Sequence, residues 1–399
     1  MIHLFKRGRI RFHLSIFGLC LLSMMVGCTP TSSTSTNNNR VSATANAPTW
    51  QNSTIPITTE NAPNIQLLGR LDSPAPASTI FQFDATDSHI AALNNDALLI
   101  FDLATGLLQA QNARGDFTSV HYSADETRLY ALDIMGELSL LNAEDARQIE
   151  TFRAHSDFSG AFAVNSMQDL IVFGGEDGTV SIWNGAERRA VSAFEVHANK
   201  VTAVALSGDG AWLASADAET VRLWDWRAQT LIGEIGVPSV PHHLQFSVDA
   251  QQIAIGMVDQ LAVWVNPADE NASLQSLRTG LSNVSVLTYS PDGQFLMGGN
   301  ASQGVTVWEL NTTNAWTLQN VRGSVVAGSF SPHHPLIATS VMGSGVQLWN
   351  LSHVEDENIP QASLSSADTR IFQVQWSPDG RFLFMTSAAG AIYAWGIGS

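Results

Sequence analysis

From residue 80 onward the chain alternates short apolar, largely β-branched runs with clusters of Gly, Asp, Ser and Pro, and shows no helical period. The runs end repeatedly in the patterns LLIFD, LSLLN, VSIWN, VRLWD, LAVWV, VTVWE, VQLWN and IYAWG, anchored at Phe101, Leu141, Trp183, Trp224, Trp264, Trp308, Trp349 and Trp395. Successive anchors lie 40, 42, 41, 40, 44, 41 and 46 residues apart. Upstream of each anchor two further runs are joined by a tight turn, most plainly in 286–299 and 372–387, where the turn reads Ser-Pro-Asp-Gly. Proline presets φ at the first central position, and Asp and Gly tolerate the angles that follow. Ser123-Ala124-Asp125, Ser207-Gly208-Asp209-Gly210, Ser247-Val248-Asp249 and Ser331-Pro332-His333 are eroded versions of the same turn. A fourth run follows each anchored one, for example 107–113, 148–154 and 190–196. The pattern predicts an all-β fold of repeated four-stranded units.

The spacing, the VRLWD segment (221–225) and the two Ser-Pro-Asp-Gly turns resemble the WD40-repeat family over roughly residues 65–399. The resemblance implies a β-propeller of four-stranded blades, each packed on two neighbours. Eight units are counted, with seven blades plus a degenerate strand pair as the alternative; the first unit, 79–102, has no Trp. The last unit reaches Ser399 without a fourth run, while IQLLGRL (65–71) stands unassigned before the first. The family closes its ring by pairing such an N-terminal strand with the final blade, and these two segments match that device.

The N-terminus reads differently. Lys6, Arg7, Arg9 and Arg11 precede an apolar stretch from Phe12 to Val26, followed by Gly27-Cys28 and a Ser/Thr/Asn/Pro-rich segment. That layout is a secretory signal, too short in its apolar part for an ordinary spanning helix of roughly 20 residues. Met25-Val26-Gly27-Cys28 resembles the lipobox of bacterial lipoproteins, with Met25 where that family has Leu, and implies acylation of Cys28. The organisation expected is a signal peptide over 1–27, a lipidated Cys28 and disordered tether over 28–62, and a propeller over 63–399. An uncleaved single-span anchor is the alternative. Either way the domain is expected outside the cytoplasm, held to a membrane through its N-terminus. With Cys20 removed in the signal, Cys28 is the one remaining thiol, so no internal disulfide is available.

Charge narrows the partners. The chain carries a formal net charge of −17, and the first 27 residues hold four basic side chains and no acid, so the remainder is more acidic still. Lys200 is its only lysine. Such a surface repels phosphate backbones and anionic headgroups, which argues against nucleic acid and against membrane contact beyond the lipid.

The resemblance implies a hydrogen-bonded set of His, Ser, Asp and Trp within a blade; His197, Ser215, Asp217 and Trp224 match it in the fourth unit, and His155, Asp177 and Trp183, without a Ser, in the third. Elsewhere the turn Asp is missing, and Met135 occupies the place of Asp177. A Ser–His–Asp triad is the catalytic reading of the same residues, but no G-x-S-x-G elbow accompanies it. His242-His243 and His333-His334 lack the partners of a metal site, since neighbours on a strand face opposite ways. No phosphate-cradling glycine motif stands between a strand and a helix. No cofactor, metal or enzymatic activity is therefore expected.

What remains is an interaction scaffold binding an unidentified protein or peptide. An envelope-assembly accessory lipoprotein is the alternative, and a small-molecule-binding or enzymatic propeller a third. Met135, Met257 and Met342, six or seven residues before their anchors, are expected around one mouth of the ring, where methionine adapts to a partner's shape. Arg114 is a further interface candidate, because arginine is enriched at hot spots.

Overall fold

The computed structural model describes residues 40–42 and 50–398, excluding 73–79, 85, 87, 154, 270, 278–283, 301–303, 311, 313, 319–324, 342, 344, 354–358 and 366–369. Eight sheets follow one another along the chain, and in six of them four antiparallel strands pair in sequence order. They form blade 1 (80–112), blade 2 (117–153), blade 3 (158–195), blade 4 (203–236), blade 5 (241–277), blade 6 (284–317), blade 7 (325–365) and blade 8 (371–396). The protein is an eight-bladed propeller.

Blade 8 has three strands of its own, and its outer strand comes from the other end of the chain. Gln66–Asp72 pairs antiparallel with Ala391–Gly396, placing Leu67 opposite Trp395 and Asp72 opposite Ala391. The ring is thus sealed by backbone hydrogen bonds that cover what would be an open sheet edge. Blade 7 carries an additional strand, Arg40–Ser42, parallel to its outer strand Ala362–Ser365.

Apolar side chains gather at each of the eight blade junctions. One cluster joins Leu336, Leu348 and Leu364 of blade 7 to Val374, Leu383 and Trp395 of blade 8. The next joins Phe382, Phe384 and Ala394 to Phe81, Leu99 and Phe101 of blade 1. The other six junctions are filled in the same way. Second and third strands are packed from both faces, so Leu170–Gly175, Phe382–Ser387 and Ala391–Gly396 are buried at every position. Outer strands such as Leu107–Asn112 are largely exposed. First strands approach one another around the inside of the ring, as Phe158–Asn165, Ala203–Leu206 and Pro241–Phe246 do.

Five of the turns before the second strands share one device. Ser123, Ser207, Ser247, Ser290 and Ser377 each donate to an Asp two residues on, at 2.7, 2.6, 2.6, 2.5 and 2.7 Å. The same serine oxygen accepts the N–H five residues on, as from Trp212, Gln252, Phe295 and Phe382. Ser331 has His333 where the Asp belongs, and its hydroxyl is buried without a partner.

The tether expected over 28–62 ends earlier than the composition suggested. Trp50 packs against Phe382 and Phe384, with ring centroids 6.3 and 6.4 Å away, and its Nε1 donates to Leu103 O at 2.8 Å. Ser53 is buried and donates to Ile397 O at 3.0 Å, and Ile57 and Ala62 join the core between blades 7 and 8. Polar composition hid these anchors because the few side chains that pack are spaced singly among Ser, Thr and Asn. Cys28 lies outside the described residues.

Candidate interaction surface

Turns between second and third strands, and the connections entering each first strand, share one end of the ring, and the sequence-predicted residues fall there. In blade 4, His197 precedes the first strand. Ser215 lies on the second strand Trp212–Ala216, Asp217 directly after it, and Trp224 on the third strand Thr220–Asp225. His197 Nε2 is 2.9 Å from Ser215 Oγ, and its Nδ1 is 3.4 Å from Asp217 Oδ2. Trp224 Nε1 donates to Ser215 Oγ at 3.0 Å. Asp217 can only accept, so the N–H of the neutral imidazole sits on Nδ1 facing it, and Nε2 accepts the Ser215 hydroxyl proton. Burial pushes the His197 pKa down, towards the neutral ring. Burial raises Asp217, but N–H groups of Glu219 and Thr220 outweigh it and hold the carboxyl below its ordinary value.

The atom order Ser–His–Asp is that of a hydrolytic triad, yet all three side chains are buried and the serine already holds Trp224. No substrate carbonyl reaches Ser215 there. The set cross-links two strands and the incoming loop, satisfying polar groups that burial would otherwise penalise.

Blade 3 solves the same problem differently. Counting along the ladder from the paired anchors, Gly175 holds the place of Asp217. A Cβ on Gly175 would stand 2.2 Å from Asp177 Oδ1 and 2.5 Å from His155 Cε1, so both side chains occupy its space. His155 Nε2 lies 2.9 Å from Thr179 Oγ1, which donates to Asp177 Oδ1 at 2.7 Å. The Thr179 hydroxyl, then its N–H, hold the Asp177 pKa below its ordinary value. Trp183 stacks on Phe152 at 5.2 Å.

Blade 2 corrects the reading that its turn Asp was missing. Asp133 ends the second strand and accepts the N–H groups of Met135 and Glu137, both at 2.8 Å. Arg114 enters from the position His197 has in blade 4 and donates to Ser139 at 3.0 Å and Asp133 at 2.9 Å. It also pairs with Asp116 at 2.7 Å and Glu137 at 2.9 Å. The hydrogen bond to Asp116 is foremost in raising its pKa. Arg114 is therefore a pin within the blade rather than a free guanidinium. Asp133 was missed because blades 2 and 3 have one more turn residue than blades 4 and 5. Leu132 pairs with Leu138 and Gly174 with Val180, against Ala216 with Val221 and Gly256 with Leu261. Counting back from the anchor therefore passed it by.

The methionines do not form the expected ring. Met257, at the ladder place of Asp217, is 1% exposed and packs in the junction of blades 4 and 5. Met342 lies outside the described residues. Met135 is 67% exposed beside Ile134 at 52%, on the turn that Asp133 caps. Beneath them, a Cβ on Gly136 would stand 2.7 Å from Phe158 Cγ. Asp116, Asp157 and Glu176 at this end of blades 2 and 3 are exposed, the last holding Lys200 at 2.6 Å, and Glu137 is half-buried. Among the described residues no group of three His, Cys, Asp or Glu side chains is placed to hold a metal ion.

Residues 146–184 and 188–225 match the family model described as WD domain, G-beta repeat. Two of the repeats are WD40 repeats. Each match takes in the whole outer strand of one blade and the three inner strands of the next, so the sequence repeat overlaps the blade junction. The chain is 26% identical over 38% of its length to the small ribosomal subunit protein RACK1y of Oryza sativa subsp. japonica, covering 46% of that protein. It is 25% identical over 45% of its length to THO complex subunit 6 of Arabidopsis thaliana, covering 47% of it. The chain thus spans about half the length of these relatives. The crystal structure of the computationally designed Ika8 protein superposes with a TM-score of 0.66 at 17% identity, over 82% of this chain and 98% of that one, a likeness of fold.

Proposed function

We propose that this protein is a membrane-anchored, extracytoplasmic interaction scaffold, which binds a protein or peptide at the blade 2–3 sector and catalyses no reaction. The observation that carries the reading is the Ile134–Met135 tip, two exposed apolar side chains on a turn locked by Asp133 and Arg114. Apolar groups held rigidly lose little entropy on binding, which is what makes a hot spot effective. The printed names of both relatives, a ribosomal subunit protein and a subunit of the THO complex, describe members of assemblies. The basic-then-apolar N-terminus ending in Gly27-Cys28 supports export and a lipid anchor. The test is crosslinking affinity capture of the full chain from its own membranes, against an Ile134→Glu/Met135→Glu double variant. A stoichiometric protein recovered with the wild type and lost with the variant supports the proposal. Equal recovery with both overturns the assignment of this surface.

A further inference from the structure

The Ile134–Met135 tip stands in the acidic half of its end of the ring. The connections entering blades 2 to 4 (113–116, 154–157 and 197–202) and the turns after their second strands (133–137, 176–178 and 217–219) carry eight carboxylates against two cations, Arg114 and Lys200. The corresponding turns of blades 6 to 8, at 300–304, 341–345 and 388–390, carry no charged residue. The net charge of the chain alone would spread acid around the whole rim, so the concentration at blades 2 to 4 is local.

Both cations of the sector are already held by its own carboxylates. Arg114 pairs with Asp116, the buried Asp133 and Glu137, and Lys200 Nζ donates to Glu176 Oε1 at 2.6 Å. The charge left over is negative, and Asp157 and Glu176 present it to solvent. Lys200 shows, within the chain, that an ammonium seats on this surface.

Contacts tie these two carboxylates to the apolar tip. Gly136, next to Met135, lies against Phe158, since a Cβ there would stand 2.7 Å from Phe158 Cγ. Asp157 directly precedes Phe158, and its carbonyl accepts Glu176 N at 2.7 Å. Apolar area and unneutralised acid therefore share one continuous surface. An acidic partner is repelled there, and an uncharged one desolvates the carboxylates without replacing their water. A cationic partner loses neither way, and the one-signed face draws it in.

We infer that the partner segment bound at this tip is cationic, with apolar side chains for Ile134 and Met135 and lysine or arginine side chains for Asp157 and Glu176. The inference rests on the scaffold reading and adds the chemistry of the partner.

The probe is a synthetic peptide, KLLKGKLLK, carrying a photoreactive group at one end and offered to the full chain. Two controls go beside it: ELLEGELLE, which keeps the leucines, and KSSKGKSSK, which keeps the charge. Saturable labelling of 134–137 and 157–158 by the first peptide is expected, with each control at least about tenfold weaker. Affinity should fall about tenfold between about 0.05 and about 0.5 M salt. Asp157→Lys/Glu176→Lys, at exposed positions, should weaken binding about tenfold with the melting transition unchanged. Glu144→Lys, at the other end of blade 2, should leave it unchanged. Labelling outside these turns, equal binding of ELLEGELLE, indifference to salt, or equal weakening by Glu144→Lys would each overturn the inference. An Ile134→Ser/Met135→Ser variant separates the two readings. A captured partner lost with that variant but retained by Asp157→Lys/Glu176→Lys would overturn the cationic partner and leave the tip standing. A partner retained by both would overturn the tip as well.

Discussion

Gly69 and Trp50 fit each other by the absence of a side chain: a Cβ on Gly69 would stand 2.5 Å from Trp50 Cε3 and 3.2 Å from its Cα. Gly69 belongs to the strand that seals the ring and Trp50 to the segment lying over it, so the seam is held by backbone pairing and by a packed indole. Gly69→Ala should destabilise by about 1–3 kcal/mol through overpacking. In a Trp50→Ala background the same change should be nearly neutral, because the clash has gone. A double-mutant cycle by chemical denaturation measures the difference as coupling. Additive effects would show that the two residues do not meet.

The turn of blade 7 offers a gain in stability. Ser331 is buried without a partner, where five equivalent serines donate to an Asp two residues on. His333→Asp should supply that acceptor and stabilise by about 1 kcal/mol, the usual worth of a hydrogen bond that satisfies a buried group. Asp292→His in blade 6 should cost a similar amount by orphaning Ser290.

Histidines whose pKa burial lowers, His121, His197 and His243 among them, set an acid limit. Burial pushes His121, whose Nε2 lies 2.8 Å from Ser119 Oγ, down to about 4, and burial also lowers His197. A folded-state pKa below the unfolded 6.5 means that the unfolded chain binds protons first as pH falls. The contribution of His121 is whole above pH 6.5 and is lost between there and about 4, and that of His197 is lost as pH falls below 6.5. The depressed carboxyls, Asp177 and Asp217 among them, add their own loss only below the ordinary Asp value of 3.8. Melting followed from pH 7 to 4 should fall, and His121→Gln should flatten the upper part of that fall.

The anchor is tested by mass. Cys28 should carry acyl chains and residues 1–27 should be absent from the mature protein. Cys28→Ala should leave an unprocessed precursor or release the domain into the soluble exported fraction. Intact Met1 with unmodified Cys28 on the membrane-associated chain would show a different attachment.

The fold was legible because its determinants recur. The anchors Trp264, Trp308, Trp349 and Trp395 are buried at successive junctions, and the two unmatched ends, 65–71 and the last unit, pair with each other. The mouth was less legible. Whether a residue lies on or beneath a turn depends on turn length, which differs by one residue between blades 2 and 4. Asp133, Asp217 and Met257 share one ladder place after the paired anchors, whereas Met135 stands two residues beyond it, exposed at the tip of the turn. Arg114 was visible as a cation in a loop, but of its four partners only Asp116 is local, and strand pairing brings Asp133, Glu137 and Ser139 to it.

The central claim, that this ring binds a partner at the Ile134–Met135 tip, is tested most directly by amide hydrogen exchange on the protein alone and in complex with the captured partner. Slowed exchange confined to the turns at 134–137 and 176–178, with the melting of an Ile134→Glu/Met135→Glu variant unchanged and its complex absent, is the predicted result. Unchanged exchange at those turns, or protection located elsewhere on the ring, would contradict it.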